Sequence, residues 1–274
     1  MKFLLITLVF LLGFNSFAQK DKKEKKDKKE EKVNEKVKFI YKEVVLETDD
    51  YKIYIIDAVS TEAVCKFKMK VFNKTNDYLI VKPKEFALIA DGKTIVSTDK
   101  NLIVPPNEET FKVIDFKAAG LRVPNFTVEI KGIYKASAGG KALAAPDFVF
   151  PAMTNQFVAG GFTCTLKNSK LETAKSSAKF DCVYTGDGVA ILDSYKCSAI
   201  MPNGTANANK KKYNGSILEK GESEDFAVVV EEIPGAGDMQ KKGFTIKWND
   251  TFKETKLLPL KPTKIEVLKD SEKQ

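Results

Sequence analysis

The chain has 274 residues, carries 45 Lys and Arg against 37 Asp and Glu for a net charge of +8, and contains no histidine. Without histidine, Ser-His-Asp and Cys-His catalysis, His-ligated zinc and His-ligated haem are excluded, because histidine is the side chain that titrates near neutrality unaided and the commonest metal ligand. A hydrophobic fraction of 43% with 19 Phe is enough apolar material for globular cores rather than a disordered chain.

Met1-Lys2 is a short positive start, and residues 3–14 form an apolar run. Ser16 and Ala18 then supply small residues at the minus-three and minus-one positions. This predicts a signal peptide over 1–18, cleaved before Gln19. The run is short for a membrane span, which needs about 20 residues, and no cysteine follows it for lipid attachment. The mature chain is expected outside the cytoplasm, periplasmic or secreted, with peripheral attachment to the envelope surface as a further option.

Residues 19–36 are predicted to be a charged, disordered linker, since Lys20–Lys32 holds eight Lys and five acids and nothing to bury. The basic balance does not argue for nucleic acid, because much of it is local to this linker and the chain is expected to be exported.

Strict alternation begins in Ala63–Asn73, where Cys65, Phe67, Met69 and Val71 share one face and Lys66, Lys68 and Lys70 the other. That predicts a strand with one wet face. Turn-rich 73–77, strand-like 78–82 and 86–90, and Asp91-Gly92 follow, then strands over 110–115 and 125–134. These form a first β-sandwich over 37–135. Residues 136–151, rich in Ala, Gly and Pro, are predicted to be the interdomain connector.

A second sandwich is predicted over 152–262. Its strands fall at 162–166, 178–184, 189–192, 196–201, 217–218, 225–230 and 243–248, with Gly186-Asp-Gly188 as a hairpin turn and Trp248 in the core. The longest polar loop, 203–215, carries Lys210, Lys211, Lys212 and Tyr213, cations beside an aromatic that could contact an anion or glycan. Residues 263–274 look like a charged tail.

The second half repeats the first. Phe126–Lys131 returns as Phe244–Asn249, Asp91-Gly92-Lys93 as Asn203-Gly204-Thr205, and Pro106–Phe111 as Gly221–Phe226. The order is kept while the offset drifts through 112, 115 and 118, which needs only short loop insertions. The fold class is therefore all-β, two tandem immunoglobulin-like antiparallel β-sandwiches after a signal peptide and a charged linker.

Three stretches carry a resemblance: Lys68–Asn73, Pro83 through Phe86–Lys93, and Val104–Glu109. Over residues 50–135 the pattern resembles the immunoglobulin-like sandwich of late-embryogenesis-abundant-like proteins and related bacterial extracellular domains. Repeat 2 departs from it, with Thr185-Gly-Asp-Gly188 in place of the Asn turn and cysteine in place of some aliphatics. The resemblance implies a stress-related or envelope binding module and transfers no catalytic residue.

Cys65 stands alone in repeat 1, whereas Cys164, Cys182 and Cys197 lie in repeat 2. Pairing Cys164 with Cys182 across a hairpin sets Phe162 against Tyr184 and Leu166 against Phe180, apolar on apolar. Cys182 with Cys197 is the rival, and four buried free thiols the remaining alternative. No catalytic residue, metal site or cofactor is assigned. The expected role is a non-enzymatic exported binding or structural envelope protein, with an envelope or extracellular protein or a glycan as partner. A periplasmic chaperone or assembly factor offering a sheet edge is the alternative, and a carboxylate-based hydrolase at the interdomain crevice a third reading.

Overall fold

In the computed structural model the described residues are 37–211, 215–232, 235 and 238–273. The signal peptide and charged linker expected over 1–36 lie outside them. The first module runs β1 (Phe39–Ile40), β2 (Val44–Glu47), β3 (Tyr51–Ser60), β4 (Val64–Asn73), β5 (Tyr78–Val81), β6 (Ala87–Ala90), β7 (Lys93–Val96), β8 (Leu102–Val104), β9 (Glu109–Lys117), β10 (Asn125–Ile130) and β11 (Ile133–Ala136). Two strands follow in the expected connector, β12 (Lys141–Ala142) and β13 (Phe148–Phe150). The second module runs β14 (Gln156–Ala159), β15 (Phe162–Lys170), β16 (Lys175–Tyr184), β17 (Val189–Leu192), β18 (Ser198–Ile200), β19 (Ala206–Ala208), β20 (Ser216–Leu218), β21 (Ser223–Glu231), β22 (Phe244–Lys247) and β23 (Phe252–Thr255). The chain closes with β24 (Leu257–Pro259) and β25 (Thr263–Leu268). The fold is all-β and antiparallel, as the alternation predicts.

Each module is a sandwich of an outer sheet on a two-part sheet. The outer sheets are β1-β3-β4-β9, with β2 also on β3, and β14-β15-β16-β21. The two-part sheets keep one strand order across a break: β24-β11-β5-β8 continues as β25-β10-β6-β7, and β12-β23-β17-β20 as β13-β22-β18-β19. In module 1 the break falls at a 3-10 turn, Pro83–Glu85, and at Gly132. Gly132 sits at φ +70°, its carbonyl accepts from Lys82 N–H at 2.8 Å, and a Cβ there would lie 2.7 Å from the Glu85 Cβ, so only glycine fits.

Each module has its own buried cluster. One joins Ile53, Phe67, Met69, Leu79, Phe86, Phe116 and Val128, and the other Phe162, Phe180, Tyr184, Leu192, Trp248 and Phe252. Trp248 lies in the second core as expected, stacked on Phe157 at 4.6 Å.

Three expectations are corrected. First, residues 263–268 are not a tail: β25 pairs with β10 of module 1 along its whole length, Ile265 opposite Val128 and Val267 opposite Phe126. Second, residues 136–151 are not a bare connector, since β12 pairs with β23 and β13 with β22, Phe148 opposite Ile246 and Phe150 opposite Phe244. Third, Gly186-Asp-Gly188 is no hairpin, because β16 and β17 lie in different sheets and the turn crosses between them.

The first two corrections describe one arrangement. The strands after module 1 complete module 2, and the strands after module 2 complete module 1. The positions correspond: Leu143 N–H donates to Phe252 O, and Leu260 N–H to Ile133 O, both at 2.8 Å. The repeat unit is therefore β2–β13 followed by β14–β25, and each unit lends its last two strands to the other. Glu35–Gln274 accordingly forms one compact unit.

Candidate binding face and the module junction

The strands β5 and β17 are buried on both faces. In β5, Leu79 and Val81 enter the first core, while Tyr78 and Ile80 pack with Ala136, Val189, Ile191 and Ile217 in a third apolar cluster between the modules. Beside it lies a buried ion pair. Lys253 Nζ is 3.3 Å from Asp193 Oδ2 and donates to Ala138 O at 3.2 Å. The Tyr78 hydroxyl, from the other module, donates to Asp193 Oδ1 at 3.5 Å. Burial, with the Asp193 carboxylate beside it, pushes that phenol well above its ordinary range. Gly215 approaches so closely that a Cβ would lie within 2.7 Å of the Tyr78 hydroxyl and nearer still to Asp193.

A cleft of about 490 Å³ opens here, and Glu108, Tyr195 and Lys196 are among its walls. A second, of about 440 Å³, lies along the same seam and includes Lys84, Asn101, Glu219 and Glu222. The two clefts are related by the repeat: Lys84 takes the place of Tyr195, Asn101 that of Gly215, and Glu222 that of Glu108. Lys82, which corresponds to Asp193, pairs with Glu219 across the junction and stands 5.0 Å over the Tyr134 ring. In the first cleft the buried Asp193 is engaged by Lys253 of the neighbouring strand, and in the second the half-buried Glu219 is engaged by Lys82 of the other module. Glu224, the carboxyl that burial raises, lies on β21 and lines neither cleft. Among the described residues no group of His, Cys, Asp and Glu could hold a metal ion.

Cys164 and Cys182 form a disulfide, directly opposite across β15 and β16, with Phe162 facing Tyr184 and Leu166 facing Phe180. The rival pairing through Cys197 is not formed; Cys65 and Cys197 are free and buried. Their environments push both thiols up to about 12.

Of the basic loop, Lys210 and Lys211 are exposed, and Lys212 and Tyr213 lie outside the described residues. The loop's asparagines cover the free edge of β21. Asn207 Nδ2 donates to Glu231 O at 2.6 Å, and Asn209 Nδ2 to Ala227 O at 3.1 Å. Asn209 Oδ1 accepts from Val229 N–H at 2.9 Å, and Lys210 N–H donates to Val229 O at 3.1 Å. In module 1, Asp99 Oδ2 meets Asp115 N–H of β9 in the same way, at 2.8 Å. Side chains thus occupy backbone groups that an incoming strand would need.

The outer face of module 1's outer sheet is different. Alternation turns Lys66, Lys68, Lys70 and Phe72 of β4 outward. The register sets Tyr54 beside Lys70 and Lys70 beside Phe111, with Lys68 beside Val113. Phe111 is 59% exposed, Val113 49% and Phe72 36%. Lys68 Nζ lies 4.3 Å from the Phe111 ring centre, and Lys52 and Lys70 at 5.3 and 5.5 Å from that of Tyr54. Lys70 pairs with Glu109 at 2.8 Å and Lys52 with Glu47 at 3.2 Å. Lys66 and Lys68 have no carboxylate partner among the described residues. The corresponding face of module 2 presents Thr163, Thr165, Ser177, Lys179, Asp181 and Asp225 with the apolar Val158, Val183 and Val229, and no aromatic ring in this set.

The sequence match conceals this face. It aligns Phe111 with Phe226, but Phe226 is buried opposite Phe180, while Phe111 lies opposite the outward Lys70. Glu108 and Glu222 carbonyls accept from Asn73 and Tyr184 N–H, each at 2.9 Å, which makes Phe111 the counterpart of Asp225. One residue of slip in a strand exchanges inside for outside. No protein-family model and no curated protein sequence matches the chain.

Proposed function

We propose that the chain is an exported, non-enzymatic binding protein of the envelope or extracellular space, which engages its partner through the outer face of module 1. The observation that carries this is the outward set of Tyr54, Phe72 and the exposed Phe111 interleaved with lysines, on a face whose counterpart in module 2 presents no aromatic ring among the described residues. Surface residues left apolar against the pattern of their own repeat point to contact with another molecule. Export is supported by the apolar leader at 3–14 and by the disulfide, which suits an oxidising compartment. The side-chain cover over the β21 and β9 edges weighs against the assembly-factor reading. The engagement of Asp193 and Glu219 by lysines weighs against a carboxylate hydrolase at the crevice.

The test is affinity capture with crosslinking from the native envelope, using the full chain and its Phe111→Ser variant. A stoichiometric partner recovered by the first and lost by the second supports the reading. Equal recovery by both removes the face from it.

A further inference from the structure

Resting on the binding role just proposed, we infer that the ligand of the module 1 face is a linear polysaccharide bearing carboxylate groups. Three features carry the assignment. Along β4 the outward side chains of Lys66, Lys68 and Lys70 recur at every second residue, about 7 Å apart. They form a row of separated positive charges and suit a chain with separated negative ones. The anion this face already accepts is a carboxylate: Glu109 on Lys70 and Glu47 on Lys52. Lys66 and Lys68, in the same row, make no ion pair among the described residues; Lys66 lies opposite Asp115 in the register, whereas Lys68 lies opposite Val113 and is the open position.

The apolar residues are spaced between the charges. Phe72, Tyr54, Phe111 and Val113 each lie beside a lysine in the cross-strand register. No oily centre forms of the kind a protein partner needs, and protein interfaces enrich aromatics but deplete lysine. A sugar ring has an apolar C–H face and a polar edge. Lying on Phe111, it would place its carboxylate within reach of Lys68, whose ammonium now rests 4.3 Å from that ring. A neutral glycan would leave the lysines unused, and the export leader places the chain where acidic glycans, rather than nucleic acids, are met.

The full mature chain is tested on immobilised polygalacturonate at low ionic strength, with neutral dextran as the uncharged comparison. Retention on polygalacturonate but not dextran, released by salt because exposed charges are screened, is the expected result. The double variant Lys66→Gln/Lys68→Gln and the single variant Phe111→Ser should each weaken retention at least tenfold with unchanged thermal unfolding. Lys179→Gln, on the matching face of module 2, should leave it unchanged. Absence of retention overturns the inference, as does equal weakening by Lys179→Gln, which would mean generic charge. If polygalacturonate is not retained while Phe111→Ser still abolishes capture of an envelope protein, the glycan assignment falls and the binding role stands. Loss of both overturns both.

Discussion

Asp193 and Lys253 hold each other 3.3 Å apart at the seam of the two modules, almost wholly buried. The corresponding positions in module 1 are Lys82 and Tyr134, which meet as a cation over a ring. A buried pair broken on one side is costly because the remaining charge is left without compensation, typically by about 3 kcal/mol. Lys253→Ala should lower unfolding stability by that order in urea titrations. Adding Asp193→Leu should recover much of the loss, and failure of the second change to help would show that Lys253 acts through packing.

The C-terminal strands should be integral to module 1. Ile265 and Val267 are buried in the first core, and each contributes about 1.5–3 kcal/mol by burial alone. Deleting residues 256–274 should strip hydrogen-exchange protection from Asn125–Ile130 and Ile133–Ala136. Adding the deleted segment back as a peptide should restore it. Unchanged protection in the truncated chain would contradict the pairing.

The disulfide spans 18 residues within module 2. Closing a loop of that size restricts the unfolded chain by about 3 kcal/mol. Replacing Cys164 and Cys182 by Ala should cost that much in denaturant midpoint analysis. Thiol titration of the native protein should find no rapidly reacting sulfur, and titration after unfolding should find two.

Stability should fall at high pH, and the free thiols set part of that fall. Burial raises Cys65 and Cys197 from 9.0 to about 12. Between those values the unfolded chain gives up protons that the folded chain keeps, so each thiol's contribution is complete below pH 9 and lost as pH climbs towards 12. Chemical unfolding between pH 8 and 11 should show a shallower decline for Cys197→Ala than for the unaltered chain. Parallel curves would refute the linkage.

Much of the architecture is legible locally. Val64–Asn73 alternates so strictly that its buried and wet faces follow from the residue order, and the same logic places Cys164 against Cys182 and Trp248 in a core. What local order does not carry is which body a strand joins. Thr263–Leu268 alternates too, with Ile265 and Val267 on one face, but its lysines and acids resemble a solvated end, and its partner β10 lies more than a hundred residues earlier. Lys141–Ala142 is a strand only because β23 is beside it. The proposed binding face is half legible: the wet lysines of β4 follow from its alternation, whereas the local match of Phe111 to Phe226 runs one residue out of the structural register.

The reciprocal lending of strands also sets how the molecule should respond to damage. A protease nick at residues 151–155, between β13 and β14, would cut the covalent thread but leave each fragment gripping the other by two strands. The halves should migrate together until denatured. Both sandwiches would thus stay complete after the backbone between them has been severed.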